Sequence, residues 1–367
     1  MNFGFTEEQN LLREQVARFM QDTLPLPRVR ELVRESAGFS PALWQQMADL
    51  GWLGLITPED RGGIGLKWVD LTVVLEETGR GLSPLPIISQ MLSTAAVLRL
   101  ASSDQQAAWL PAMANGSARC TLALYDEPNW IAAEAISLAA EHTSTGFRLH
   151  GRKPFVADAA GADYLMLGCR AGTELGLAVV TAEQVRINPQ PVIDETKPMA
   201  EVVLDNLHIG PDHFLPMTAE DLSILNDCGA VLATAESVGA AEALLALTSD
   251  YARNRVQFGK PIGQYQGVKH RLADMFVDIE SFKSLLYYAA WTVDDAPQEL
   301  ARACSMAKGY AADAFAQIGI DGIGLHGAIG FTAEYDAQLY LKRSKWARTV
   351  FGDSDFHLDR VAALGGL

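Results

Sequence analysis

Arg253-Asn254-Arg255-Val256-Gln257-Phe258-Gly259-Lys260-Pro261-Ile262-Gly263-Gln264-Tyr265-Gln266 is the most specific stretch of the chain, and His270-Arg271-Leu272-Ala273-Asp274-Met275 continues it. Just beyond it, Val268, Leu272, Phe276, Ile279, Phe282 and Leu286 recur at steps of three and four. That period gives a helix one buried face, so the aromatic and methionine residues of this run are expected in the core. Helical pattern begins at about Pro216, and a further helical stretch is expected from about Pro297 to Ile318.

Upstream the texture is different. Between about Cys120 and Gly210 short β-type runs appear at Thr121–Leu124, Gly146–His150, Tyr164–Leu167, Leu177–Thr181 and Ala200–Leu204. Gly151, Gly161-Ala162-Asp163 and Asn188-Pro189 read as the turns between them, which predicts a small barrel or sandwich. The first ~115 residues read as helical again. Thr6-Glu7-Glu8-Gln9 is a capping-box pattern, Leu12, Val16, Phe19 and Met20 follow at helical spacing, and Pro41 to Leu50 is a second helix. The run Thr57 to Gly65 carries one proline and three glycines and is expected to break helix, with helical pattern resuming from Trp68 to Gly79. The order is helices, strands, long helices, with expected domains at 1–118, 119–214 and 215–367.

Composition sets outer limits. A chain of 367 residues is long enough for two or three packed regions. A net charge of −16 argues against a nucleic-acid partner, which needs concentrated Lys and Arg; solubility is the plain reading of that charge. No uncharged apolar run reaches the roughly 18 residues of a membrane span, and the acidic start MNFGFTEEQN has no signal-peptide core. The four cysteines are scattered, with no CxxC pair. No metal site is therefore expected, and reduced thiols in a cytoplasmic protein are.

The stretch from Arg253 to Gln266 resembles the RxQFGxPIxxxQ signature of acyl-CoA dehydrogenases. Other pieces follow in sequence order: Phe5-Thr6-Glu7-Glu8-Gln9, the loop Pro58–Gly65, Gly151-Arg152-Lys153-Pro154-Phe155, and Gly327-Ala328-Ile329-Gly330-Phe331. The resemblance covers nearly the whole chain. The ending Phe351-Gly352-Asp353-Ser354-Asp355-Phe356-His357 looks most like the small subunits of two-subunit enzymes of the pimeloyl-CoA dehydrogenase type. The resemblance implies an α+β fold: an N-terminal helical domain, a middle β-barrel domain and a C-terminal four-helix bundle. It also implies a tetramer with FAD bound across a subunit interface, an acyl-CoA substrate, and electron-transfer flavoprotein as acceptor. In this chemistry a carboxylate takes the α-proton of the thioester and a hydride leaves the β-carbon for the flavin. A dry pocket lifts that carboxylate toward the basicity it needs.

Carried over residue by residue, the resemblance gives Arg255 the pyrophosphate of a neighbouring subunit's FAD, which a guanidinium fork suits. Gln257 becomes a polar contact to the same cofactor, Phe258 packs on it, and Gln266 approaches its adenine end. The alternatives are a helix-end surface arginine and ordinary helix-turn packing. Phe155 and Gly327 stand in the other cofactor motifs, which are worn. Gly324 replaces the usual glutamine, Ala157 lacks the hydroxyl that would bond the flavin ring, and no Gly-Ser-Asp follows Asp126-Glu127-Pro128-Asn129-Trp130. A carboxylate at Asp126 would oppose the negative charge of a reduced flavin.

The base is divided between readings. Asp353 is the candidate near the C-terminus, and it equally suits the N-cap of a helix starting at Ser354. Asp227 is the weaker alternative, two residues from the register of an earlier-helix base that here falls on Gly229. His326 and His357 are read as packing or hydrogen-bonding residues. One usable half-site beside one poor half-site fits a heteromer, in which a single sequence need not supply both halves. The alternatives are a self-sufficient homomeric enzyme using Asp353, a non-catalytic partner completing another subunit's FAD site, and another flavin oxidase or monooxygenase on the same fold.

Overall fold

In the computed structural model, residues 5–36, 39–126 and 131–366 are described. Six helices come first: α1 (Glu7–Thr23), α2 (Leu26–Ser36), α3 (Pro41–Asp49), α4 (Trp68–Arg80), α5 (Ile87–Leu100) and α6 (Ser103–Ala114). Eight strands follow: β1 (Cys120–Ala123), β2 (Ala139–Thr143), β3 (Gly146–Ala157), β4 (Tyr164–Ala171), β5 (Glu174–Thr181), β6 (Arg186–Gln190), β7 (Met199–Ile209) and β8 (Phe214–Met217). The C-terminal part holds α7 (Ala219–Asn254), the two-residue strands β9 (Val256–Gln257) and β10 (Lys260–Pro261), α8 (Gln266–Asp295), α9 (Leu300–His326), α10 (Ala337–Thr349) and α11 (Ser354–Leu364). The expected architecture of helical domain, β domain and helical bundle is present. The chain packs as two compact units, Leu32–Leu71 with Pro84–Gly229, and Met1–Glu31 with Thr72–Ser83 and Ala230–Leu367.

The β-containing unit is built on one eight-stranded mixed sheet in the order β6-β7-β3-β2-β4-β5-β8, with β1 parallel beside β4. Leu149, Leu165, Leu167, Cys169, Val202 and Leu204 fill its apolar core. Helix α5 is buried along most of its length. Its buried polar residues are Ser89, Gln90, Ser93 and Thr94, of which Gln90 reaches furthest. Its Nε2 donates to the carbonyls of Met113 and Ala118, and its Oε1 accepts from the Cys120 amide at 2.8 Å. One side chain thus ties α5 to the end of α6 and the start of β1, as a buried amide must be tied somewhere.

In the bundle unit α4 meets α7 at backbone contact. A Cβ on Gly79 would collide with the Glu236 carbonyl, and one on Gly239 with that of Glu76. Glycine is required at both positions by the approach itself. Charged pairs line the same helices: Arg13–Glu76 at 2.8 Å, Lys283–Glu242 at 2.6 Å and Arg343–Glu236 at 3.0 Å. Glu76 is fully buried, and burial pushes its carboxyl up to about 7, with Arg13 partly opposing the shift. Helix α7 contains an 18-residue window apolar enough to cross a membrane, but 72% of that window is buried inside the fold.

The structure corrects four local readings. Asn188-Pro189 is not a turn: it lies in β6, a sheet edge, where a missing N–H does no harm. Gly151 is not a turn either; it sits inside β3 at a register shift, with φ 145°. Phe276 is not core. It is 55% exposed, because the buried stripe of α8 runs through Met275, Ile279, Phe282 and Leu286 and Phe276 lies beside it. Helix α2 is an addition. Pro25 and Pro27 mask it, yet a proline in the first turn costs a helix nothing. The Thr6 capping box is present as expected.

Candidate functional site

The segment 253–266 forms a hairpin arm. Arg255 prolongs α7 by one backbone bond, from its amide to the Tyr251 carbonyl at 2.8 Å. Its own carbonyl accepts from the Ile262 amide at 2.8 Å and closes the base of the arm. Val256–Gln257 then pairs antiparallel with Lys260–Pro261. The two-residue turn is Phe258-Gly259, with φ of 53° and 83°. Positive φ at both central residues is what the tightest hairpin turns demand, and glycine meets it freely where phenylalanine does not. Tyr265 pins the tip, its hydroxyl donating to the Gln257 carbonyl at 3.1 Å while the Lys260 ammonium lies 4.3 Å from its ring centre.

This arm presents its side chains outward. Phe258 is 93% exposed. Arg255 and Gln257 are exposed, and Arg255 makes no ion pair among the described residues. Gln266 opens α8, also exposed. A strained, solvent-facing phenylalanine is costly in a lone chain and worth about 1.5–3 kcal/mol once covered. Phe258→Gly is therefore expected to leave the thermal midpoint of the chain unchanged or raise it by a degree or two, while lowering flavin occupancy of the assembled enzyme. Calorimetry and flavin absorbance check the two halves; a Phe258→Gly enzyme with full flavin content would remove Phe258 from the site.

Gly327 ends α9 with φ 67° and ψ −145°, a backbone region open to glycine alone, although a Cβ there would meet no neighbour within 4 Å. Beyond it Ile329 and Phe331 stand 42% and 72% exposed. Gly324 likewise faces open space. His326 is buried between the rings of Tyr251 and Tyr335, at 4.6 and 5.0 Å, with Nδ1 2.7 Å from the Gly322 carbonyl. Burial lowers its basicity, so it packs as a neutral ring.

In the β-containing unit Phe155 sits at a register shift of β3 with φ 53° and 46% exposure, its amide held by Gln190 at 2.8 Å. The Ala157 carbonyl accepts from the Thr121 hydroxyl at 2.7 Å. Asp126 is the main correction. Its charge does not stand open to a cofactor, because Oδ1 is ion-paired with the fully buried Lys153 and Oδ2 accepts from the Ser137 and Leu138 amides. Lys153 was the missed partner. Leu149, Gly151 and Lys153 alternate on one side of β3, which is the signal that points Lys153 inward. Glu127, Pro128, Asn129 and Trp130 lie outside the described residues.

The candidate bases differ in burial. Asp353 is exposed and caps α11, accepting from the Phe356 amide at 3.0 Å. Asp227 is buried on α7. His357 is buried, bonded to Ser305 and to the Phe351 carbonyl, and burial holds it down to about 3. No group of three or more His, Cys, Asp or Glu able to hold a metal occurs among the described residues.

Comparison with known proteins accounts for this layout. The family model "Acyl-CoA dehydrogenase, N-terminal domain" matches residues 6–117, and "Acyl-CoA dehydrogenase, C-terminal domain" matches 227–365. The acyl-CoA dehydrogenase IpdE2 of Mycolicibacterium smegmatis is 29% identical, over 98% of this chain and 99% of its own. IpdE2 of Mycobacterium tuberculosis is 31% identical, over 92% of this chain and 91% of its own. A chain in the crystal structure of the ChsE4-ChsE5 complex from Mycobacterium tuberculosis superposes with a TM-score of 0.92 at 25% identity, covering 100% of this chain and 99% of that one.

Proposed function

The chain belongs to the acyl-CoA dehydrogenase family, and from that premise we propose that it is the smaller, partly degenerate subunit of a heteromeric enzyme. The family's members are flavin-dependent oxidoreductases acting on acyl-CoA, and their cofactor is FAD. When bound, FAD supplies the hydride acceptor for α,β-desaturation. The observation that carries the proposal is the contrast between two half-sites. The arm at 253–266 is pinned at its base and tip and offers Arg255, Gln257 and Phe258 outward. The residues on the β side, Asp126 and Ala157, are committed to Lys153 and Thr121 or lack a hydroxyl.

These residues fit FAD in one half only. Arg255 would hold the pyrophosphate of the partner chain's cofactor, with Gln257, Phe258 and Gln266 along it. Phe155 and Gly327 stand in the family's other cofactor motifs, each in its own unit. The ChsE4-ChsE5 structure, a complex of two differently named chains, supports a two-subunit arrangement. Electron-transfer flavoprotein is the proposed acceptor and an acyl-CoA the proposed substrate. Asp353 at a helix cap favours a second reading, in which this chain completes a partner's flavin site and brings no base of its own.

The visible spectrum tests the proposal. The chain expressed alone should be colourless or weakly yellow. Co-expressed with a second acyl-CoA dehydrogenase chain it should carry about one flavin per two chains. One flavin per chain with good turnover in the lone protein would overturn the heteromer.

A further inference from the structure

Lys308, on α9, is 2% exposed. Its Nζ donates to the Gly352 carbonyl at 2.7 Å and reaches the Arg348 carbonyl at 3.5 Å. Those two carbonyls bracket the turn from α10 to α11. The turn is strained: Phe351 has φ 56° and Gly352 φ 105°. A Cβ at Gly352 would fall 2.6 Å from the Phe356 ring and 2.7 Å from His357 Nε2. His357 is the second anchor, with Nε2 3.0 Å from the Phe351 carbonyl. Ser305 Oγ accepts from Arg360 at 3.3 Å and lies 3.2 Å from His357 Nδ1. The Ser305 hydrogen therefore goes to Nδ1, and the proton on Nε2 goes to Phe351. The turn is held from inside by two buried nitrogen bases, and it delivers Asp353 to the N-cap of α11.

Cys304 and Asp313 face Lys308 from its own helix, Asp353 from the turn, Arg348 from α10, and His357 and Arg360 from α11. No carboxylate lies within 4.0 Å of its Nζ among the described residues. A buried ammonium with only carbonyls to receive it bears a desolvation cost that the neutral amine escapes.

We propose that Lys308 is a positioning residue that locks the Phe351–Asp353 turn as the neutral amine, and that protonation of its Nζ releases the turn. The sign follows from linkage. Burial brings the closed-state value down from 10.5 to about 7. An opened turn returns the amine to water and to its ordinary value. Between those limits the open state binds the extra proton, so closure strengthens as the pH rises from about 7 to about 10.5 and is flat below. The device stands whatever Asp353 does in catalysis.

Amide hydrogen exchange of 351–357 tests it on the full chain in its assembled form, corrected for the intrinsic pH dependence of exchange. Protection at about pH 9 should exceed that at about pH 6.5 by at least tenfold, one pH unit of unbalanced proton uptake being worth tenfold. Lys308→Arg, permanently charged, should show low protection at both pH values. Lys308→Met should show no slope. A flat profile in the unmodified protein overturns the proposal without any variant, and so does a slope that survives in Lys308→Met.

Discussion

Arg255→Ala in the assembled enzyme is expected to weaken flavin retention by about 10- to 150-fold, with activity falling alongside. The estimate rests on charge-assisted hydrogen bonds worth roughly 1.5–3 kcal/mol, and a guanidinium facing a pyrophosphate offers two in parallel. Arg255 is exposed and makes no ion pair among the described residues, so its removal leaves no buried group there unsatisfied. The thermal midpoint of the lone subunit should therefore stay within a degree or two. That separation of effects is what a residue serving a neighbour's site requires. Arg255→Lys keeps the charge and loses the fork, so it should recover only part of the retention. Asp353→Ala is the matched control. It removes an N-cap worth about 1 kcal/mol and should lower the midpoint by a few degrees. Under the reading in which this chain brings no base, turnover survives. Flavin absorbance after dialysis and single-turnover bleaching with substrate measure both variants. Full flavin retention in Arg255→Ala would remove the arm from the cofactor site.

The sequence was most legible where one residue type does one job. Thr6 and Gln9 close a capping box in the structure as in the sequence. The helical order on both sides of a β region needed only apolar period. It failed where tertiary context overrides local pattern. Pro189 reads as a turn until its strand proves to be an edge. Phe276 carries the right period for a core face and is exposed because the face that packs runs through its neighbour Met275 and Ile279 instead. Such an offset is invisible to a rule that equates periodicity with burial. At the site the arm was readable because a contiguous motif encodes it. The Asp126–Lys153 pair was not, since its members are far apart in sequence and meet only through the sheet. Asp353 suits both a base and a cap on sequence alone, and in the structure it caps α11.

Lys153→Met should be the most damaging single change in the β-containing unit. Lys153 is 0% exposed, and its Nζ meets Asp126 and donates to the Leu124 carbonyl at 3.2 Å. Burial lowers the basicity of Lys153, and Asp126 opposes that shift. Removing one member of such a pair leaves the other charge buried and uncompensated, a loss of about 3–5 kcal/mol. For a unit of this size each kcal/mol is worth about 2–4 °C, which puts the expected fall in the thermal midpoint at about 6–20 °C. Methionine nearly matches the stem of lysine, so a cavity contributes little. The pair is isolated by Lys153→Met with Asp126→Asn. The amide keeps an acceptor for the Ser137 and Leu138 N–H groups and carries no charge. The double variant should then regain more than half of the loss. If it is no more stable than Lys153→Met, the coupling is absent and the damage came from packing. If it does recover, the carboxylate at 126 belongs to the scaffold of the sheet.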